Sequence, residues 1–238
     1  MKLDILAIMA HPDDAELSCG GTLITHAKKG LKTGIIDLTQ GEMGTRGTPE
    51  ERREEAQNAG KILRLSIREN LGMRDAFFTN DEVHQLQIIQ KIRQYQPEIV
   101  ITNTPYDRHP DHGRSMQLVE EATFKSGLQK IPTELNGERQ SHWRPSKMYH
   151  VIQSVSLEPD FLVDISDSME EKMEAIKAYK TQFYDPESKE PETYISSPGF
   201  MKMLEARAAE YGHRIGVKYA EGFKLNQFLG VRNLFDLV

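Results

Sequence analysis

The sequence is poor in cysteine and has no long apolar run. Its 238 residues include one cysteine, Cys19, which excludes an internal disulfide framework and is typical of a protein from a reducing compartment. No apolar stretch approaches the roughly 18 residues that a membrane-spanning helix needs. Near the N-terminus, Asp4 interrupts the apolar run that a secretory signal peptide requires. We therefore expect a cytoplasmic protein that does not act in a membrane.

An excess of positive charge is also missing. The chain has 30 Lys and Arg against 36 Asp and Glu, a formal net charge of −6, and this mild acidity disfavours nucleic-acid binding. Neither GxGxxG after the first predicted strand nor GxxxxGK[ST] occurs, which argues against a nucleotide-binding module, although the predicted sheet would allow one. These absences leave a small molecule as the expected ligand.

Short apolar runs alternate with amphipathic stretches through the first half of the chain. The pattern predicts strands at 3–10, 32–39, 68–71 and 98–102, and helices at 15–29, 48–63 and 81–95. The second half is less regular, with strands predicted at 148–156 and 161–165 and helices at 168–183 and 200–212. Such alternation is typical of a Rossmann-like, doubly wound and mostly parallel α/β sheet. We expect one domain over residues 1–238, with a less regular C-terminal part.

Two polar clusters follow predicted strands. His11-Pro12-Asp13-Asp14 comes directly after the first strand, and His109-Pro110-Asp111-His112 follows the fourth after a short loop. Because ligands bind beyond the carboxyl ends of parallel strands, both clusters are expected at one edge of the sheet. Imidazoles with a carboxylate suit a divalent transition metal, and three protein ligands with an open position are typical of catalytic zinc. Asp13 or Asp14 could instead simply cap the following helix, but two clusters at equivalent strand ends favour the metal.

The stretch AHPDDAE at 10–16, together with HPDH at 109–112, resembles the LmbE-like (PIG-L type) zinc-dependent N-deacetylases. Further matches lie at 51–56, 107–112 and 219–223, so the resemblance covers nearly the whole chain. Within this family, the sequence is most similar to the branch that removes the acetyl group from N-acetylglucosaminyl malate in bacillithiol biosynthesis. The resemblance implies a single deacetylase domain, an amino-sugar substrate and a homo-oligomer.

Carried over onto the matching positions, the family pattern implies a role for each site residue. It makes His11, Asp14 and His112 the ligands of Zn²⁺, and the same ligands would also hold Fe²⁺ in the cell. It makes Asp13 the general base and His109 a second imidazole that stabilises the oxyanion or moves a proton. Which of these last two protonates the leaving amine stays open.

Three further residues are candidates for substrate binding. The two carboxylates of malate match the guanidinium forks of Arg52 and Arg108, although Arg52 could also be an ordinary exposed helix residue. The resemblance places Tyr194, in a loop with three prolines at 184–199, over the site. A glycine-rich loop at 41–47 is interpreted as a mobile loop near the site rather than a phosphate cradle.

Two alternative activities remain. The chain could deacetylate another N-acetylated sugar, such as a chito-oligosaccharide. Two histidines and one carboxylate also describe the facial triad of non-haem iron oxygenases. The adjacent second carboxylate, Asp13, favours hydrolysis, because an oxygenase triad needs no base at that point.

Overall fold

A seven-stranded sheet organises the chain in the computed structural model, which describes residues 1–183 and 185–237. The strands are β1 (Ile5–Met9), β2 (Thr33–Thr39), β3 (Ile67–Met73), β4 (Ile99–Thr102), the short β5 (Glu134–Leu135) and β6 (Glu138–Arg139), β7 (Lys147–Val151), β8 (Phe161–Asp164) and β9 (Ala220–Leu225). The helices are α1 (Asp14–Lys28), α2 (Pro49–Ile62), α3 (Glu82–Tyr95), α4 (Pro110–Ser126), α5 (Met169–Lys177) and α6 (Pro198–Arg214). None of the described helices has the length and apolarity to cross a membrane.

The strand order is β3-β2-β1-β4-β7-β9-β8. The first five strands in this order are mutually parallel, whereas β9 runs antiparallel to both β7 and β8. The prediction of one Rossmann-like, mostly parallel α/β domain is therefore confirmed. The antiparallel strand β9 and the edge strand β8 that pairs with it account for the less regular C-terminal part. The short strands β5 and β6 form a separate hairpin.

Strand β1 lies in the middle of the sheet, with helices on both faces. Its residues Ile5, Ala7 and Met9 belong to one apolar core, whereas Leu6 and Ile8 belong to the core on the opposite face. A strand that is buried on both faces needs a continuous apolar run rather than alternation. This need explains why the sequence ILAIM, immediately before the first polar cluster, predicts the strand so well.

Several elements differ from the sequence predictions. Helix α4 was not predicted, because its first turn is made of the polar cluster itself, with His109 as the N-cap and Pro110 at the first helical position. Strand β9 was not predicted because it contains Gly222, and glycine is unfavourable inside a strand. Glycine is needed at this position, since a Cβ would lie 2.8 Å from the ring of Tyr211. The helix predicted at 168–183 ends at Lys177, and the strand predicted at 148–156 ends at Val151.

The predicted loop at 184–199 is largely as expected. Residues 185–197 contain no helix or strand, and α6 begins at Pro198. Position 184 lies outside the described residues.

Candidate metal and catalytic centre

One cavity of about 410 Å³ lies where the carboxyl ends of β1 and β4 meet. All eight site residues predicted from the sequence line it: His11, Asp13, Asp14, Arg52, Arg108, His109, His112 and Tyr194. The two polar clusters meet because β1 and β4 are neighbours in the sheet. The fold therefore brings together side chains that are about a hundred positions apart in the sequence.

The carboxylate of Asp14 lies between two imidazoles. One oxygen is 3.2 Å from His112 Nε2, and the other is 3.5 Å from His11 Nδ1. Asn103, the first residue after β4, donates to Asp14 (3.3 Å) and accepts from the amide of Ala10 (2.9 Å), so it ties the ends of β1 and β4 to this carboxylate. Gln153 donates a further hydrogen bond of 2.7 Å to Asp14.

Each of these two imidazoles has a second carboxylate at its other nitrogen. Asp107 lies 2.5 Å from His112 Nδ1, and Asp75 lies 3.0 Å from His11 Nε2. A carboxylate at one ring nitrogen retains the proton there and leaves the lone pair of the other nitrogen available. His112 Nε2 and His11 Nδ1 are therefore the nitrogens that would offer a lone pair to a metal held beside Asp14.

This donor set fits a divalent metal. In a tetrahedral site with bonds of about 2.0–2.1 Å the ligand atoms are separated by roughly 3.3 Å, close to the distances between Asp14 and the two imidazoles. The cluster also favours positive charge. Burial lowers the pKa of His11, but hydrogen bonds to Asp111, Asp14 and Asp75 raise it well above the usual value. Burial is likewise outweighed at His112, where the charge of Asp14 and the bond to Asp107 raise the pKa to about 9.

Two other groups of donor atoms meet in the same place. Those of His11, His109 and His112 lie within 4.8 Å of one another, and so do those of His11, Asp75 and Asp111. Asp75 and Asp111 both approach Nε2 of His11, at 3.0 and 3.4 Å. Their position suits a supporting role, because they accept the proton of the ring nitrogen opposite to Asp14.

Asp13 adopts a strained backbone conformation, with φ 107° and ψ −26°. A left-handed conformation at a residue other than glycine costs energy and persists where the surroundings enforce it. Here Arg52 enforces it, because its Nη2 donates to the Asp13 carboxylate (2.8 Å) and to the carbonyl of Pro12 (2.7 Å). Burial raises the pKa of Asp13 to about 7, against the lowering effect of Arg52. A carboxylate with this pKa suits a general base near neutral pH.

His109 presents a donor to the cavity. It is the N-cap of α4, and its Nδ1 accepts from the amide of Asp111 at 3.3 Å. Burial and the nearby rings of His11 and His112 lower its pKa, so the neutral form is favoured. With Nδ1 acting as an acceptor, the proton of the neutral ring lies on Nε2. This N–H can stabilise a developing oxyanion.

The three arginines that line the cavity differ in their contacts. Arg52 is held by Asp13 and Pro12, and Gly41 covers it: a Cβ at Gly41, whose φ is 67°, would lie 2.6 Å from Arg52 Nη1. The glycine loop therefore packs over Arg52. Arg46 is paired with Glu190 at 3.2 Å. Arg108 stacks on the ring of Tyr194 at 4.5 Å and forms no ion pair with any described residue.

Sequence reasoning missed Asp75, Asp107, Asn103 and Gln153. Asn103 directly follows β4, Asp75 is the second residue after β3, and Gln153 is the second after β7. The rule that directed attention to the two histidine clusters could have found these residues, because they too follow the carboxyl ends of parallel strands. Asp107 carries no such signal.

Comparisons with known proteins agree with this geometry. Residues 6–123 match the family model described as PIG-L: GlcNAc-PI de-N-acetylase. The diacetylchitobiose deacetylase of Thermococcus kodakarensis is 30% identical over 234 residues, covering 92% of this chain and 82% of that protein. A probable N-acetyl-alpha-D-glucosaminyl L-malate deacetylase 2 of Bacillus subtilis is 28% identical over 199 residues, covering 76% and 84%.

A solved structure shows the same fold over almost the full length. The crystal structure of the conserved protein TT1542 from Thermus thermophilus aligns with a TM-score of 0.86 and 36% identity, covering 97% of this chain and 98% of that one. The resemblance seen in the sequence is thus confirmed for the family, whereas similarity to the malate branch is lower than to the Thermococcus enzyme. The chain belongs to the PIG-L, or LmbE-like, deacetylase family.

Proposed function

We propose that this chain is a metal-dependent hydrolase that removes the acetyl group from an N-acetylglucosaminyl conjugate with a carboxylate-bearing aglycone, N-acetylglucosaminyl malate being the leading candidate. The choice of aglycone rests on the contacts of Arg108. Its guanidinium lies at the cavity on the ring of Tyr194 and makes no ion pair in the described part of the chain. A guanidinium fork that has no carboxylate partner in this part of the chain suits a substrate carboxylate.

The residues proposed to hold the metal are His11, Asp14 and His112, with Zn²⁺ or Fe²⁺ as the ion. A bound divalent cation would lower the pKa of water and polarise the acetyl carbonyl. The protein prepares this position through Asp75 and Asp107, which orient the two imidazoles.

Asp13 is proposed to accept the proton of the attacking water. Its carboxylate is aimed by the strained backbone and held by Arg52, so little rearrangement is needed. As the carbonyl carbon becomes tetrahedral, Nε2–H of His109 donates to the oxygen that gains charge. When the C–N bond breaks, the leaving amine needs a proton. Asp13 can return the proton that it took from the water, or it can pass that proton to His109, which as an imidazolium then donates one to the amine.

A neutral saccharide is the second candidate substrate. It is favoured by the higher identity to the diacetylchitobiose deacetylase of Thermococcus kodakarensis, and it is compatible with a cavity whose other two arginines are already paired. Arg108 discriminates between the candidates, because only a carboxylate-bearing aglycone would gain a charge-assisted bond from it.

The test is acetate release, measured with and without a chelator, from N-acetylglucosaminyl malate, N,N′-diacetylchitobiose and free N-acetylglucosamine. The proposal expects the malate conjugate to have the highest kcat/KM. Arg108→Met should lower that value by about 10- to 100-fold, the worth of one charge-assisted bond, and change free N-acetylglucosamine little. The matched control is Arg144→Met, since Arg144 is exposed and stacks on Phe124 at 4.3 Å.

Three outcomes would contradict the proposal. Faster turnover of diacetylchitobiose would transfer the assignment to the second candidate. Equal losses on all substrates in Arg108→Met would remove the argument for a carboxylate. If no substrate released acetate in the metal-loaded protein, the deacetylase proposal itself would be wrong for these sugars.

A further inference from the structure

Arg46 is the cavity arginine that neither the sequence motifs nor the proposed reaction uses. It lies in the loop between β2 and α2, its residue is 6% exposed, and it lines the same cavity as Arg108. Its Nε donates to Glu190 (3.2 Å) and its Nη2 to Ser188 (2.5 Å), both in the loop before α6. Its Nη1 has no hydrogen-bond partner among the described residues. Within the described part of the chain, this nitrogen can therefore donate to a further acceptor.

We infer that Arg46 is the second carboxylate-binding arginine of the cavity, which together with Arg108 selects aglycones that carry two carboxylates. This inference rests on the proposed function, because it names the residue that would read the second acidic group of the same substrate. It gives Arg46 the role that the sequence motifs suggested for Arg52.

The contacts of Arg52 explain why it is not the second receptor. Its Nε and Nη2 donate to the Pro12 carbonyl and to Asp13, and Gly41 packs against its Nη1. A substrate carboxylate would have to displace the proposed general base to reach these donors. Nη1 of Arg52, like that of Arg46, has no hydrogen-bond partner among the described residues, but it lies beneath Gly41. Arg52 is thus committed to Asp13, whereas Arg46 can add a bond without disturbing the proposed base.

The charge balance around Arg46 supports the same assignment. The one carboxylate paired with Arg46 in the described part of the chain is that of Glu190, whose side chain is 41% exposed and which also accepts from the amide of Gly47 at 3.0 Å. A buried guanidinium is costly to desolvate, and a half-exposed carboxylate compensates it only in part. A second carboxylate from a ligand would complete the compensation, and it would compete with Glu190 for the same charge.

Because Glu190 and a substrate carboxylate compete for Arg46, a binding role and a structural role of Arg46 predict opposite effects of Glu190→Gln on dicarboxylate binding. If Arg46 binds a substrate carboxylate, then Glu190→Gln removes a competitor and should tighten the binding of a dicarboxylate. If Arg46 serves only to join its loop to the loop that carries Glu190, then Glu190→Gln should weaken binding in the same way as a change at Arg46. The two variants therefore move in opposite directions in one case and together in the other.

The experiment compares two substrates of the metal-loaded enzyme, N-acetylglucosaminyl malate with two carboxylates and N-acetylglucosaminyl lactate with one. Arg46→Met is expected to lower kcat/KM for the malate conjugate by about 10- to 100-fold and for the lactate conjugate by less than about threefold. Glu190→Gln is expected to raise the value for malate, because it removes the carboxylate that competes for Arg46. Thermal unfolding and metal analysis establish that both variants are folded and loaded.

Free malate provides a readout that does not depend on deacetylation. Its dissociation constant, measured by calorimetry on the metal-loaded protein, should rise by about 10-fold or more in Arg46→Met and should fall in Glu190→Gln. Equal malate binding by wild type and Arg46→Met would overturn the inference, since malate held by the metal alone would be insensitive to Arg46. Parallel losses in both variants on both substrates would also overturn it. If no conjugate is deacetylated, the proposed function fails, and malate binding still decides the role of Arg46.

Discussion

Replacing Asp107 with asparagine tests how the site selects the tautomer of His112. The side chain of Asp107 is fully buried, and its Oδ2 lies 2.5 Å from His112 Nδ1. Its Oδ1 accepts from the amides of Arg108 (2.6 Å), Ser154 and Val155 (3.2 Å each). Because three N–H groups converge on Oδ1, an asparagine must place its carbonyl oxygen there. Its NH₂ group then faces Nδ1, which can only accept, so the imidazole proton has to move to Nε2.

That shift places a proton on the nitrogen that faces Asp14, where a metal ligand needs a lone pair. Losing such a supporting partner typically costs about 10- to 100-fold in metal affinity, which corresponds to about 1.4–2.8 kcal/mol. The effect on folding should be smaller, because the asparagine carbonyl retains all three backbone hydrogen bonds. Alanine would be a poorer test, since it leaves three N–H groups without their acceptor.

The assay is a competition between the protein and a chromophoric chelator for Zn²⁺, together with ¹⁵N spectra of the histidine rings, which report the protonated nitrogen. Asp160→Asn is the matched control, because Asp160 also accepts a backbone amide, that of Leu225 at 2.7 Å, at a site remote from the cavity. Zinc affinity of Asp107→Asn within about twofold of the wild type, or a ring proton that stays on Nδ1 of His112, would refute the reasoning.

Three further predictions concern the base and the core. Asp13→Asn should keep the metal but lower acetate release by about 10²- to 10⁴-fold, the usual worth of a general base, as metal analysis beside turnover would show. Burial raises the pKa of Asp13 to about 7, and the ionised carboxylate is the base, so kcat/KM should fall as the pH drops below about 7. A bound cation can only shift this fall to lower pH. A pH profile whose acidic midpoint lies above about 8 would contradict the assignment. Lys172→Met leaves Glu221 buried without its 2.6 Å ion pair and should reduce the unfolding free energy, measured by urea titration, by about 3–5 kcal/mol. The control is Lys224→Met, which removes the exposed ion pair with Asp160 and should cost less than about 1 kcal/mol.

The sheet and the meeting of the two clusters could be predicted because both depend on local patterns and one topological rule. The apolar run before His11 marks a strand buried on both faces, and Ile99–Thr102 marks another before His109. Parallel strands that alternate with helices place their carboxyl ends at one edge. No knowledge of individual contacts was needed to expect the clusters near one another.

The supports of the site could not be predicted in this way. Asp75 is 64 positions from His11, and its contact depends on how the loop after β3 curves toward β1. Asp107 is only five positions from His112, but it reaches Nδ1 because the amides of Ser154 and Val155, after β7, hold its carboxylate. These contacts depend on three-dimensional loop paths that have no periodicity in the sequence.

Arg52 illustrates the same limit from the opposite side. Its surroundings in the sequence, rich in glutamate and arginine, indicate an exposed helix surface, and its neighbours Glu51 and Arg53 are indeed exposed. Arg52 itself is 7% exposed because the glycine loop closes over it. Burial of one charged residue on a polar helix is decided by a partner elsewhere in the chain, here Asp13.

The late motif at 219–223 acts on the helix that carries Asp14. The carboxylate of Glu221 accepts from the amides of Gly21 (3.0 Å) and Thr22 (2.7 Å), in the middle of α1. Lys172 joins this carboxylate and also donates to the carbonyl of Leu17 at 3.1 Å. In an ordinary helix the amide of residue 21 pairs with the carbonyl of residue 17, so a buried ion pair serves the same two backbone groups. Because the first turn of α1 positions Asp14, this distant motif supports the candidate metal site through the helix.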